Sequence, residues 1–507
     1  MSHRSGPSPL LGFALFSALS SFLAFANPFV RLPFLIVCAP WMLALIARQT
    51  SRARAAFKWG WISGALAASA SLYWVVFPVH NYGLLPWPLA VPCPILMGMV
   101  LGVYPGLFCA ALHIAGRSMR PLALGLFAGL AWTALEALRG WLFSGFPWLP
   151  LAVALTPWPV AIQSASIIGA FGLSGVLAAC GVWLAGPGTM PRAAIAVTLV
   201  LLAGYGLWAL QAPAPVDGRF NAAMIQGNVD QGVKWEPDTL DKVIRKYSAL
   251  SRETLGQSPD VIIWPETALT FFVQQTSVER TLVEDFAKGQ GIPLVAGAPG
   301  YERTPSGVRV FNRAYLFGPQ GLGDFYDKEH LVPFGEYAPF GQDIPLLASL
   351  MQGVGAFTPG TRTAPLVSGR LAMGMLICYE AIFPGLARDR VAAGANVLVN
   401  ISNDAWFGRS SAPRQHLELA AFRAVEQGRF LLRCTNTGIT ALISPNGRVT
   451  RETPLFEEAA VSVSGVGLIS AKTVYYHIQG TLEALCALVA LTLLAWAAFL
   501  KKGTHGE

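Results

Sequence analysis

Acidic residues are almost missing from the first part of this sequence: between Met1 and Val216 the one carboxylate is Glu136 and the one lysine is Lys58. Charge is scarce overall, at 13% of 507 residues against 53% hydrophobic, with a mean hydropathy of +0.49. Soluble chains carry about 25% charged residues, so a large core alone does not account for the deficit and a membrane component is implied. The net charge of +8 comes without a basic stripe interleaved with aromatics, which argues against nucleic acid as a partner. No C-x-x-C pair occurs and the histidines show no H-E-x-x-H spacing, so neither a metal site nor a redox motif is indicated. The G-x-x-x-x-G-K-[ST] and G-x-G-x-x-G loops are also missing, as is a G-x-S-x-G elbow. Nucleotide binding therefore lacks support and a serine hydrolase is disfavoured. No cofactor is expected.

What is present instead is long apolar sequence. Runs of spanning length, about 20 residues each, fall near 9–27, 29–47, 59–78, 89–114, 121–139, 161–185, 193–210 and 479–500. The first is read as a retained span rather than a signal peptide, because no clear cleavage motif follows and the next run begins almost at once. Basic residues collect at Arg4, at Arg48, Arg52, Arg54 and Lys58, at Arg117 and Arg120, at Arg192, and at Lys501 and Lys502. In an eight-span count these clusters share one side, which the positive-inside rule makes cytoplasmic. Both termini are then cytoplasmic, and the segment 211–478 lies outside, in a bacterium the periplasm. The expected organisation is a transmembrane domain of seven spans over 1–210, a folded outer domain over 211–478, and an eighth span with a cytoplasmic tail over 479–507. Glu136 is an acid inside a span, where charge is costly. Arg139, three residues on, can pair with it, and that structural role is the expectation.

The outer segment alternates strand-like runs (Phe220–Ile225, Val261–Trp264, Val397–Ile401, Phe430–Cys434) with polar helical stretches near 238–255, 276–290 and 412–428. Turn signals at 318–323 and 445–447 separate them. Strands interleaved with helices point to a layered α/β domain. The apolar, glycine-containing stretch from Ile344 to Phe357 reads either as a core helix or as a mobile arm lying on the bilayer.

Polar residues follow directly on apolar strands at three places. Val261–Trp264 leads into Glu266, Leu371–Ile377 leads into Cys378, Tyr379 and Glu380, and Asp324–Lys328 leads towards Glu336. Strand ends are where reacting groups collect in α/β sheets. A thiol needs a base or a positive neighbour to react near neutral pH. Glu266 can accept its proton, and Lys328 can stabilise both a thiolate and an oxyanion. Of the seven cysteines, five lie in apolar runs; Cys434 reads as a strand thiol, and whether it bridges to Cys378 stays open.

The words around these residues resemble the nitrilase superfamily over roughly 219–465, whose members use a Glu-Lys-Cys triad. The closer resemblance, over nearly the whole chain, is to the bacterial apolipoprotein N-acyltransferase family. It rests on W-P-E-T at 264–267, Y-D-K-E-H-L-V-P-F-G-E at 326–336, I-C-Y-E at 377–380, N-I-S-N-D-A-W-F-G at 400–408, and spans on both sides of the domain. Asp327 and Glu329 stand where that family often has other residues beside the lysine.

The resemblance implies an α-β-β-α sandwich and a ping-pong acyl transfer. Cys378 would take an acyl chain from a phospholipid, typically phosphatidylethanolamine, as a thioester. The N-terminal S-diacylglyceryl cysteine of an apolipoprotein would then receive it. Glu266 is implied as general base, with Lys328 and the Tyr379 amide lining the oxyanion hole. Glu336 would orient Lys328 or position the amine, and Glu380 would hold local structure or the lysine. Trp235, Tyr379 and Trp148 are expected to contact lipid substrate, with Trp148 also readable as an interfacial anchor; Trp406 and Phe407 read as a lid or as core. The expected state is a monomer. Two other readings remain: a membrane-tethered amidase or nitrilase acting on a small C–N substrate, and a transporter or receptor with an outer binding domain. Seven preceding spans are excessive for a tether, and a complete triad is unexplained in a transporter.

Overall fold

The computed structural model describes residues 9–232, 234, 237–305, 307–337, 339 and 357–503. Trp235 and the 344–357 stretch, except Phe357, lie outside these residues. Each apolar run of the sequence is helical. Five helices are long and apolar enough to cross a membrane: Trp87–Ala115, Pro121–Arg139, Ala165–Ala185, Thr189–Gln211 and Thr481–Leu500. A sixth candidate is the pair Ala53–Ser71 and Tyr73–Asn81, bent by 57°. Pro9–Ala24 and Pro33–Gln49 are apolar but shorter. The 16 residues of the first extend about 24 Å, less than the about 30 Å of a hydrocarbon core.

Burial sorts these helices. Thr189–Gln211 buries only Pro191 and Gly206 while Val197, Leu199, Val200, Leu201 and Trp208 stay exposed. An apolar helix bare on nearly all sides is stable in lipid and not in water. Ala165–Ala185 is the opposite, buried along most of its length against Pro121–Arg139. Gly175 permits that approach, since a Cβ there would sit 2.1 Å from Thr133 Oγ1 and 2.5 Å from the Gly129 carbonyl oxygen.

One expectation is corrected here. No ion pair joins Glu136 to Arg139. Trp132, one turn earlier on the same face, donates its indole N–H to Glu136 Oε1 at 2.8 Å, and the Leu151 amide donates to the same oxygen at 3.0 Å. Those two donors hold Oε1, Arg139 attracts the carboxylate without bonding it, and among the described residues the buried Arg139 Nε and Nη2 have no hydrogen-bond partner.

Twelve strands are found among the described residues: β1 Gly218–Gln226, β2 Val261–Ile263, β3 Leu294–Thr304, β4 Gly307–Gly318, β5 Gly321–Asp327, β6 Leu366–Ser368, β7 Leu371–Ile377, β8 Val397–Ser402, β9 Leu431–Thr435, β10 Ala441–Ile443, β11 Val449–Thr450 and β12 Ala459–Leu468. They form two six-stranded sheets, ordered β12-β1-β2-β3-β4-β5 and β11-β10-β9-β8-β7-β6. Met224, Ile263, Val295 and Ala314 of the first meet Met373, Met375, Ile377, Val399 and Leu432 of the second in one buried core. Alternate residues of the first sheet, such as Ile262 and Ala296, face helices Leu240–Arg252 and Val278–Gln290. Leu376, Leu398 and Leu431 of the second face Pro384–Ala392 and Ala412–Gln427. The period-two alternation of strand side chains thus builds an α-β-β-α sandwich.

The two outer helix layers differ. Leu240–Arg252 buries one stripe, Val243, Ile244, Tyr247, Ser248 and Ser251, as a helix facing water should. Ala412–Gln427 is buried on every side, with Arg414 alone partly open, because its far face packs on the membrane-region helices. Gln415 Oε1 accepts from the indoles of Trp74 (3.0 Å) and Trp148 (2.8 Å), and its Nε2 donates to the Ala26 and Ser71 carbonyls at 2.9 and 3.1 Å. Glu418 pairs with Arg31, and Glu426 Oε1 accepts from the Ala170 amide at 2.9 Å.

Candidate active site

The site forms where strand ends of both sheets meet. β2 stops at Ile263, and Trp264 locks the exit by donating its indole N–H to Ser251 Oγ at 2.9 Å. Pro265 and Glu266 then pass over Gly297, where any Cβ would lie 2.7 Å from Glu266 Cα and 2.6 Å from the Thr267 amide nitrogen. Lys328 follows β5, its amide donating to the Asn312 carbonyl at 2.8 Å. Before it, Asp327 takes a two-point contact from Arg313 at 2.5 and 2.9 Å, a geometry that fixes the strand end.

Cys378 begins the turn after β7 with φ of +51°, a left-handed conformation that costs a non-glycine residue about 1–2 kcal/mol. Its surroundings hold it there. Glu380 accepts from the Ile377 amide at 2.7 Å, and the Cys378 carbonyl accepts from His416 Nε2 at 3.0 Å. His416 is buried, which lowers its pKa, and the Arg433 charge lowers it further. A neutral ring that donates through Nε2 leaves Nδ1 to accept from Arg433 at 3.2 Å.

The three groups converge. Lys328 Nζ lies 3.7 Å from Glu266 and 2.9 Å from Glu336. Asn312 spends both amide hydrogens on these acids, reaching Glu266 Oε1 at 2.8 Å and Glu336 Oε1 at 2.9 Å. Glu266 Oε2 accepts from the Asn403 amide at 2.8 Å. Burial raises the Glu266 pKa, and Lys328 opposes that rise more than Glu336 adds to it. Burial alone would lower the Lys328 pKa, but Glu336, Glu266 and Cys378 outweigh it and hold the ammonium charged beyond the ordinary lysine range. The Cys378 thiol is pushed up by burial and by Glu266, with Lys328 pulling the other way. The resting thiol therefore keeps its proton, and for the sulfur to act as a nucleophile a neighbouring base would have to take it.

The other expected residues are distributed as follows. Glu380 is fully buried and accepts from Tyr326 Oη (2.8 Å) and from the Glu329 and His330 amides (2.7 and 3.1 Å). It ties the lysine loop to the cysteine turn without bonding Lys328 itself. Tyr379 donates its hydroxyl to the Gly145 carbonyl at 3.1 Å, joining the cysteine turn to a loop of the membrane region. Trp148 is buried on Gln415 and against Trp74 and Phe407, so it is packed inside rather than anchored at a surface. Trp406 packs on Tyr82 at 4.2 Å, and Phe407 meets Trp74 edge-on at 5.0 Å. Cys434 is free and buried. Ile377, Ile401 and Cys434 pair in register across β7, β8 and β9, which sets Cys434 about 9.6 Å from the Ile377 backbone, beyond disulfide reach of its neighbour.

Asn312, Ser402 and His416 were not marked in the sequence; Ser402 sits in the N-I-S-N-D-A-W-F-G word, while the other two stand in strand and helix without a motif. Lys234 is a further buried amine whose Nζ has no hydrogen-bond partner among the described residues and which burial pushes down to about 8. Among the described residues no group of three or more His, Cys, Asp or Glu side chains is placed to hold a metal.

A cysteine, a carboxylate and a lysine gathered at strand ends of an α-β-β-α sandwich define a nitrilase-fold domain, here carried by a multi-pass membrane protein. The "Carbon-nitrogen hydrolase" family profile matches residues 221–474, and the "Apolipoprotein N-acyltransferase N-terminal domain" profile matches 17–183. Relatives named apolipoprotein N-acyltransferase are 35% identical in Geobacter metallireducens (97% of this chain, 96% of the relative) and 33% in Nitrosomonas europaea (96% and 95%). The chain belongs to the apolipoprotein N-acyltransferase family. Among solved structures, a mutant of an amidase from Nesterenkonia sp. AN1 with the acetamide moiety of fluoroacetamide covalently added at its active-site cysteine aligns at TM-score 0.39 and 20% identity, covering 54% of this chain and 97% of the amidase.

Proposed function

We propose that this enzyme N-acylates the N-terminal S-diacylglyceryl cysteine of apolipoproteins, using a phospholipid as donor and Cys378 as acyl carrier. The observation that carries the reading is the meeting of a protonated thiol, a buried carboxylate and a charged ammonium beside a helix packed on membrane-region helices. In the first half-reaction Glu266 takes the thiol proton as Cys378 Sγ attacks the donor ester carbon. Lys328 and the Tyr379 amide stabilise the oxyanion. The ester C–O bond breaks, the proton passes to the departing alkoxide, and lysophospholipid leaves a thioester behind. In the second half-reaction a neutral α-amine attacks the thioester, Glu266 takes an amine proton, the C–S bond breaks and the thiol recovers its proton. Splitting the transfer lets two bulky lipids use one site in turn.

Glu336 positions Lys328 in this scheme. Trp235 contacts the lipid, Trp406 and Phe407 border its path, and Trp148 supports that path from behind through its packing on Phe407. The enzyme works as a monomer in a bacterial inner membrane, with phosphatidylethanolamine as donor, the sandwich on the periplasmic side and both termini cytoplasmic. With phospholipid and no acceptor, the purified enzyme should gain one hydroxylamine-labile acyl chain at Cys378, lost in Cys378→Ala and retained in Cys434→Ala. Ammonia release from small amides with no acyl-enzyme would overturn the proposal in favour of an amidase.

A further inference from the structure

The helix Pro121–Arg139 ends beside a cavity of about 80 Å³ among the membrane-region helices, lined by Ser63, Ser71, Tyr104, Glu136, Arg139 and Leu149 among others. Its two charged side chains are incompletely used. Among the described residues, Arg139 Nε and Nη2 are buried with no hydrogen-bond partner, and so is Glu136 Oε2. Elsewhere Arg313, Arg390, Arg423 and Arg433 each pair with an acid. A guanidinium and a carboxylate oxygen left bare in apolar surroundings are costly. The cavity therefore offers one cation and one anion that attract each other without a direct hydrogen bond, each with polar atoms open to a guest.

Position narrows the guest. Arg139 closes its helix, and Trp141 and Phe143 just beyond it are 76% and 85% exposed, as aromatics are at the level of lipid headgroups. The same loop leads to the catalytic turn: the Phe146 amide donates to the Arg139 carbonyl at 2.9 Å, and the Gly145 carbonyl accepts from Tyr379 at 3.1 Å.

We infer that this cavity is the headgroup subsite of a zwitterionic glycerophospholipid, with the phosphodiester on Arg139 and the ammonium on Glu136. The inference rests on the proposed donor half-reaction. The planar guanidinium fork matches a phosphodiester, while Glu136 Oε2 has no counterpart in a lipid lacking an ammonium.

The test is the rate of acyl-enzyme formation by the full-length protein in detergent micelles, from phosphatidylethanolamine, phosphatidylglycerol and an uncharged p-nitrophenyl acyl ester. Arg139→Gln should slow acylation from both phospholipids about ten- to hundredfold, the loss expected for a charge-assisted contact, and spare the uncharged ester. Glu136→Gln should erase a preference for phosphatidylethanolamine over phosphatidylglycerol. Equal slowing with all three donors would make Arg139 structural, and unchanged rates would make the cavity water-filled; either overturns the inference. A wild-type enzyme acylated by the uncharged ester and by no phospholipid would overturn the proposed function as well.

Discussion

The two halves of the sandwich are built alike and anchored differently. The sheet carrying Glu266 and Lys328 is backed by Leu240–Arg252 and Val278–Gln290, which keep an open outer face. The sheet carrying Cys378 is backed by Ala412–Gln427, which has none. The proposed acid–base groups thus sit on a half that resembles a water-soluble domain, while the proposed nucleophile sits on a half fastened to membrane-region helices. Polar residues do different work in each. On the outer helices of the open half they face water; on the outer helix of the fastened half they are spent on one another and on the membrane region.

Substitutions can break that contrast, beginning where the fastened half holds its charges. Asp404→Ala leaves Arg433 buried without its partner at 2.7 Å. It should cost about 3–5 kcal/mol, read as a large drop in thermal midpoint. The Arg433 charge and the Ser402 hydroxyl hold the Asp404 carboxyl well below the ordinary aspartate range despite its burial. Its contribution is complete above that range and disappears as pH falls through it towards the lowered folded value, so acid unfolding of Asp404→Asn should lack this component.

Gln415→Leu should cost about 2–3 kcal/mol, since it strips the acceptor from two buried indoles. It should slow acylation at Cys378 as well, because His416 next to it holds the Cys378 carbonyl. A stability loss with an untouched acylation rate would detach the nucleophile from the membrane-region contacts.

In the open half, Glu336→Gln should act on the pH profile. Acylation needs the Glu266 carboxylate, whose pKa burial raises, so the rate should fall on acidification with a midpoint above the usual glutamate range. Glu336 adds to that rise, so removing its charge should move the midpoint to lower pH. Lys246→Ala, which loses an ion pair to Glu458 with side chains 30% and 52% exposed, should change stability by less than about 1 kcal/mol.

Much of this was legible before the fold. Strand runs ending in Glu266, Lys328 and Cys378 were visible because a buried strand is continuously apolar and its polar exit stands out. Ala412–Gln427 was readable as a helix but not as an interface. Its A-P-R-Q-H-L-E-L-A-A-F-R-A-V-E-Q composition looks like a solvated face, and only the neighbours at Trp74, Trp148 and Ala170 reveal what its polar groups meet. Asn312 escaped notice because its role comes from β4 lying between β3 and β5, a matter of sheet order. Glu136 and Arg139 had the spacing for a pair; spacing on a helix does not fix where two flexible side chains point, and Trp132 and Leu151 decided it.

Gln415 uses its whole amide on four groups from three separate stretches of the membrane region. Such a joint tolerates no independent drift: a change at Trp74 or Trp148 removes one bond from Gln415, and a change at Gln415 removes four from the membrane region. Across relatives these positions should therefore vary together or not at all. A sandwich cut free at 211 and 478 should be insoluble, because the face it would present to water was shaped by the helices beside it. The catalytic and membrane parts have the character of a single inherited unit, not of an enzyme bolted to an anchor.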